Sequence, residues 1–239
     1  MADVCRHFFA YHSPHMSTYT PTARTKVRRL SKRAVYDKSQ IHEILDEAFL
    51  CHVGFVQDRQ PFVIPTLYGR SGETLYMHGS GASRMLKTLA EGVDVCVTVT
   101  LVDAYVLARS AFHHSMNYRS VTILGQARLV ADVEEKLQAL RVITDHIVPQ
   151  RWDEVREPNE LEMRQTVVLA LPLEEVSAKV RVGPPVDDEE DYSRPVWAGT
   201  VPIHMRLGDP MADGRVLPGV PPVELARFAR RGRKTGERS

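Results

Sequence analysis

The sequence predicts a small antiparallel β-barrel with a few flanking helices, a mainly β fold with some α. Short runs rich in β-branched and aromatic residues follow one another, separated by turn residues, which marks hairpin-connected strands. Helical periodicity is confined to a few segments, which argues against a doubly wound parallel sheet.

Each element follows from local pattern. The first 26 residues carry Ser, Thr and Pro punctuation without periodicity and read as a flexible tail (1–26), with Met16 as an alternative start. Asp37 followed by Gln40 resembles a capping box, and Ile41, Ile44, Leu45, Ala48 and Phe49 fall on one helical face. CHVGFV (51–56) and PFVIPTLYG (61–69) flank QDRQ, which suits a hairpin. After the turn RSGE, TLYMHG (74–79) reads as a strand, followed by a short helix ending near Gly92. VCVTVTLVDAYVLA (95–108) is a long strand, matched by SVTILGQARLV (120–130). A helix is expected over 133–148, with acidic residues early, where the helix dipole favours them. Residues 150–162 are polar helix or loop, and 166–171 and 177–182 read as strands. The barrel is thus expected over 27–183. A partly irregular extension (184–239) follows, its last ~25 residues Pro- and Arg-rich and frayed.

Composition narrows the classes. Hydrophobic residues make up 43% and charged residues 26% of the 239, enough for a core without staples. A formal charge of +1 gives no reason to expect a nucleic acid or a membrane surface. Three cysteines, Cys5, Cys51 and Cys96, are too scattered for a zinc ligand set or a disulfide framework, so no metal site is expected. No apolar run reaches the roughly 18 residues of a bilayer span, and the start is a poor signal peptide, so a reducing cytoplasmic setting is expected.

The most informative stretch is LYMHGSGASRMLKTL (75–89), a strand running into a small-residue loop that opens a helix. Gly79, Ser80, Gly81, Ala82 and Ser83 keep the loop slim, while Arg84 and Lys87 add positive charge beside the helix start. Open N–H groups and the helix dipole there favour a phosphate. A turn that merely caps a helix is the competing reading.

The ordered set CHVGFV, PFVIPTLYG, LYMHGSGASRML, VCVTVTL and NYRSVTILGQARLV resembles the pyridoxamine 5'-phosphate oxidase-like flavoproteins. Within them the chain is most similar to the nitroimidazole-resistance-type branch of flavin-nucleotide-binding proteins, over about 27–183, with the WAG around Trp197 adding to the likeness. The resemblance implies a six-stranded-type antiparallel split β-barrel and an FMN-binding homodimer with flavins at the subunit interface. It further implies that three pieces of chain hold the flavin: Val63, Ile64, Pro65 and Thr66 along it, His78 to Leu86 at its phosphate, and Tyr118, Arg119 and Ser120 reaching it from the partner subunit. Within the second piece, His78, Gly79, Ser80, Ser83, Arg84, Met85 and Leu86 are the candidates. The vitamin-synthesising oxidases carry an Arg-Lys pair after the small loop, whereas Arg84 here is followed by Met85 and the next Lys is Lys87. Arg84 with Ser83 is therefore the first candidate for the phosphate and Lys87 the second.

Other residues stay open between roles. His78 reads equally as a strand-end residue and as a flavin contact. His113 and His114 are adjacent and point to opposite faces of an extended segment, so they do not make a two-histidine metal site; either could line a flavin or ligate a haem. Lys179 and Arg181 share one strand face, as solvated charges or as partners of an anionic cofactor. With no nucleophile or paired carboxylates in evidence, the leading expectation is an FMN-dependent oxidoreductase acting on a small molecule, its catalytic residues unassigned. A flavin- or haem-binding carrier or sensor without turnover is the alternative.

Overall fold

The computed structural model describes residues 17–231; Met16 and Cys5 lie outside the described residues. Strand β1 (Ala34–Val35) leads into helix α1 (Lys38–Glu47), which Asp37 caps by accepting from the Gln40 amide at 2.9 Å. Ile41, Ile44 and Leu45 bury the inner face of α1. Strands β2 (Leu50–Gln57) and β3 (Gln60–Leu67) form a hairpin whose turn residues, Asp58 and Arg59, have φ of 51° and 65°. Positive φ at both centres of a two-residue turn matches the twist of the strands it joins. Strands β4 (Gly69–Ser71) and β5 (Thr74–Ser80) form the next hairpin, and helix α2 (Arg84–Ala90) follows. The long β6 (Asp94–Leu107) pairs with β7 (Ser115–Gln126), with a register shift between Val102 and Ala104. Then come β8 (Arg128–Leu129), α3 (Val133–Ile147), α4 (Glu160–Gln165), β9 (Thr166–Pro172), β10 (Glu175–Arg181) and β11 (Gly199–Pro202).

All strand pairs are antiparallel and form two sheets. The main sheet runs β1-β10-β7-β6-β2-β3, with β11 added beside β6; the smaller runs β4-β5-β9-β8. They enclose one core rather than closing into a ring, which is the split-barrel architecture the sequence predicts. Val53, Val97, Val121 and Ile123 enter the core from the main sheet, and Leu75, Met77, Leu169 and Leu171 from the smaller, all fully buried. Each such side chain contributes about 1.5–3 kcal/mol through removal from water. Helix α3 lies on the other side of the smaller sheet, over Val168 and Ala170. It runs so close to β4 that a Cβ on Gly69 would stand 2.8 Å from the Ile143 Cα.

Three details go beyond the sequence pattern. The segment expected as one strand over 120–130 starts five residues earlier, at Ser115, and breaks at the buried Ala127. Its last residues cross to the smaller sheet as β8, a corner made where a strand changes sheets. Residues 17–26, part of the segment read as a tail, are anchored: Tyr19 is buried and its hydroxyl donates to Glu73 at 2.8 Å, and the Thr22 hydroxyl donates to Glu175 at 2.7 Å. Within the C-terminal extension, β11 pairs with β6, and Asp187 accepts from the Arg109 amide and guanidinium at 2.9 and 3.1 Å. Farther on, Arg227 pairs with Glu154.

Among the described residues much of the outer face of the main sheet is left uncovered. Val63 is 67% exposed there, and Val56, Tyr105 and Met116 are also exposed. A shallow depression of about 360 Å³ lies on this face, lined by Gly54, Val63, Cys96 and Leu124 among others.

Candidate functional site

The small-residue loop is built by its own hydrogen bonds. The Gly81 amide donates to the Gln165 carbonyl at 2.9 Å, the Ala82 amide to the Ser80 hydroxyl at 3.2 Å, and the Ser83 amide to the Ser80 carbonyl at 2.9 Å. The Ser83 hydroxyl caps α2 by accepting from the Leu86 amide. The loop therefore consumes most of its own donors, and the Arg84 and Met85 amides are the first-turn groups that no helix can satisfy. Met85 and Leu86 turn their side chains into the core, so only their main chain can meet a ligand. The Arg84 guanidinium stands 4.0 Å from the centroid of the Phe62 ring, tying the start of α2 to β3, and it has no ion pair among the described residues. Lys87 is exposed one turn farther on.

Strand β3 is an edge of the main sheet, paired only with β2, so its far side offers unpaired main-chain groups. Val63 and Pro65 point to the exposed outer face, while Ile64 packs on the core and Thr66 lies opposite the buried Cys51. Burial pushes the Cys51 thiol up to about 12, so it stays protonated and inert. His78 shares a face of β5 with Tyr76, whose hydroxyl reaches Glu135 of α3, and so points away from the side of Gly79. Its Nδ1 is buried without a partner, and burial lowers its pKa below the ordinary histidine value, which keeps the ring neutral.

The remaining candidates lie across the sheet. Tyr118 and Ser120 face the outer side of β7; the Ser120 hydroxyl stands 2.9 Å from that of Thr100, and Lys179 of β10 sits opposite Ser120 in register. Arg119 points to the other face. It donates to Asp103 at 3.0 and 2.9 Å and to Glu47 of α1 at 2.8 Å, with a further Nη1 contact to Glu47. These bonds, Glu47's first, hold its pKa above the ordinary arginine range, and the side chain is a strut between α1, β6 and β7. From β3 to β7 is three strand steps, about 14 Å at about 4.8 Å each. One chain thus brings Val63–Thr66 next to the loop and Arg84, and separately gathers Tyr118, Ser120 and Lys179.

Several residues of the outer face escaped the motif reading. Cys96, Thr98 and Thr100 alternate with the buried Val95, Val97 and Val99, and His52 stands between Pro65 and Thr98 in register. The alternation in VCVTVT was the signal that could have found the first three. On the β6–β7 connection, His113 Nε2 lies 3.2 Å from Asp188, and His114 Nδ1 lies 2.8 Å from the Ser110 carbonyl. Asp187 and Asp188 pin this connection to the C-terminal extension.

Comparison with known proteins places this architecture. Among curated proteins none matches the sequence. The structure of the flavocytochrome Anf3 from Azotobacter vinelandii superimposes with a TM-score of 0.81 at 43% identity, over 86% of this chain and 96% of that one. The FAD and heme binding protein from Mycobacterium smegmatis gives 0.77 at 35% identity, over 83% and 96%. A protein from Bacteroides thetaiotaomicron, provisionally named for 5-nitroimidazole antibiotic resistance, gives 0.53 at 26% identity, over 62% and 86%. The family model for pyridoxamine 5'-phosphate oxidase matches residues 37–180, which is more than half of the chain. By that match and by the split-barrel fold it shares with these structures, this chain belongs to the pyridoxamine 5'-phosphate oxidase family.

Proposed function

We propose that this chain binds FMN and acts as a flavin-dependent oxidoreductase on a small molecule. One observation carries the reading: an edge strand with free main-chain groups is held against a helix start whose arginine has no acidic partner among the described residues. That pairing fits a flavin, with a flat ring along Val63–Thr66 and a phosphate at Ser83 and Arg84. A bound flavin supplies hydride or electron transfer. The chain's own residues bind and orient it. Arg84 and the Arg84 and Met85 amides meet the phosphate, with Lys87 second. Lys179 sets a positive charge on the outer face, where it stabilises negative charge developing on a neighbouring group.

The apolar outer face supports a homodimer, because a second copy laid across it would cover Val56 and Val63 and exclude water. Such a pairing would bring Tyr118, Ser120 and Lys179 of one copy to the β3–α2 half-site of the other. Arg119, held by its carboxylates, supports the site from behind.

A second reading has its own observation. His114 turns Nδ1 to a main-chain carbonyl, which leaves Nε2 as the free ring nitrogen, the arrangement of a metal-ligating histidine. Together with the names of the two similar proteins, one a flavocytochrome and one an FAD and heme binding protein, this supports a flavin- and haem-binding electron carrier.

Mass spectrometry of the cofactor released on denaturation decides between them. FMN is the expected mass, and bleaching of the yellow protein by a nicotinamide donor supports the enzyme. FAD would extend the phosphate end beyond Arg84, and a Soret band lost in His114→Ala would establish the haem. No flavin after reconstitution with excess FMN or FAD would overturn the proposal.

A further inference from the structure

Arg181, the last residue of β10, is only 9% exposed. Its guanidinium meets neutral oxygens alone: the Asn117 side-chain carbonyl, the Gly183 carbonyl at 3.4 Å and the Pro184 carbonyl at 3.5 Å. Its Nε is buried with no partner, and no ion pair reaches it among the described residues. A buried guanidinium ordinarily has a carboxylate or another anion, because taking the charge out of water is costly without one.

The surroundings deepen the imbalance. Lys179 lies two residues back on the same strand face and likewise has no ion pair among the described residues. Strand β1 pairs Ala34 with Lys179, so the turn Ser31–Arg33 just before it runs alongside the end of β10 and brings in Arg33. Burial, and then the Arg33 charge, lower the Arg181 pKa below the usual arginine range, with Tyr118 pulling the other way. Arg33 and Arg181 thus meet at this end of β10 with Lys179 on the same strand face, and among the described residues neither Arg181 nor Lys179 has an ion pair.

We infer that this end of β10 is an anion site, Arg181 its floor and Lys179 its rim, which takes the phosphate or carboxylate group of a ligand lying on the outer face of the main sheet. Within one chain β10 is four strand steps from β3, about 19 Å along the sheet, so this anion is not the one held at α2 of the same chain; in the proposed dimer it lies beside the partner's half-site, and there the inference rests on the flavin reading. A planar guanidinium matches the oxygens of either anion, and an ammonium two residues back on the same face adds charge to the approach. Arg33 keeps the local potential positive, and Tyr118 and Ser120 flank the approach from β7.

The test uses the full-length, flavin-free protein carrying Arg84→Ala, so that an anion bound at α2 is removed from the measurement and failure of the flavin reading leaves the result intact. Thermal unfolding is followed with sodium pyrophosphate or sodium succinate, each against sodium chloride of equal ionic strength, and affinities are taken by calorimetry. A ligand that binds the native state raises the midpoint with its concentration. Stabilisation by pyrophosphate, lost in Arg181→Gln and weakened about tenfold in affinity in Lys179→Gln, assigns a phosphate. The same pattern with succinate assigns a carboxylate. If Arg181→Gln does not fold, the Lys179→Gln affinity alone decides. No stabilisation beyond sodium chloride, or stabilisation unchanged in both variants, overturns the inference and leaves Arg181 as a clamp on the turn at 183–184.

Discussion

Arg84 rests on the Phe62 ring and meets no carboxylate among the described residues, whereas Arg119 is gripped by Glu47 and Asp103. That difference separates a residue available to a ligand from one spent on the fold. Arg84→Ala should weaken flavin binding by about 1.5–3 kcal/mol, the worth of a charge-assisted contact, which is roughly 10- to 150-fold in Kd by fluorescence quenching. Unchanged affinity in a folded variant would move the phosphate to Lys87 or elsewhere. Arg119→Ala removes the cation that bridges Glu47 and Asp103 and should lower unfolding stability by about 2–4 kcal/mol in urea titration. The sequence could not separate the two arginines. Glu47 lies 72 residues from Arg119, and only folding brings α1 to β7. The face of His78 was hidden for a similar reason, since a strand-end residue reveals its side only once its neighbours, here Tyr76 on α3, are in place.

Local pattern fixed the elements that carry their own signals. The cap at Asp37 and the QDRQ hairpin are both where the residues predict them. The division of 115–129 between two sheets was not legible, because it depends on the smaller sheet being there to receive β8. Helix α4 is held at its start by reciprocal bonds between Asn159 and Glu162, and Arg156 also grips Glu162. The Arg156 bond first, then the Asn159 amide, push the Glu162 carboxyl down to about 2. A carboxylate depressed in the fold stabilises it fully above the ordinary value of 4.5 and loses that contribution as pH falls toward 2. Protection of the Glu162 and Met163 amides, measured as exchange relative to the intrinsic rate, should therefore fall selectively between about pH 4.5 and 2, with the buried β6–β7 ladder at Val97 and Ile123 as the reference. At the α3–β4 crossing, Gly69→Ala sets a methyl against main-chain atoms that cannot swing away, and should cost about 1–3 kcal/mol, read as a lower Tm.

For the whole molecule, the exposed row Val201, Tyr105 and Met116 continues the apolar outer face along β11, β6 and β7. Sedimentation equilibrium should give twice the chain mass of 27.0 kDa, and Val63→Lys should shift the species toward the single chain. A stable flavin-loaded single chain would remove the proposed interface. The sequence carried the barrel class and the β2–β3 hairpin well because such pairings are local. It carried the C-terminal extension poorly, since β11 and the Asp187–Arg109 contact depend on partners 78 to 98 residues away.

The place of β10 in the main sheet, between β1 and β7, has a consequence for synthesis. Ala34 waits for Lys179, and Thr74 for Pro172, so two of the defining pairings join the beginning of the chain to its last third. While the ribosome works through the middle of the message, the β2–β3 and β6–β7 hairpins can form, but the open edge of β7 has nothing to pair with. Such distant pairings fold slowly and leave unpaired strands exposed to neighbouring nascent chains. The emergence of residues 175–181 is the event that ends that interval, and β10, which bears Arg181, is thereby the strand that commits the chain to its native sheet.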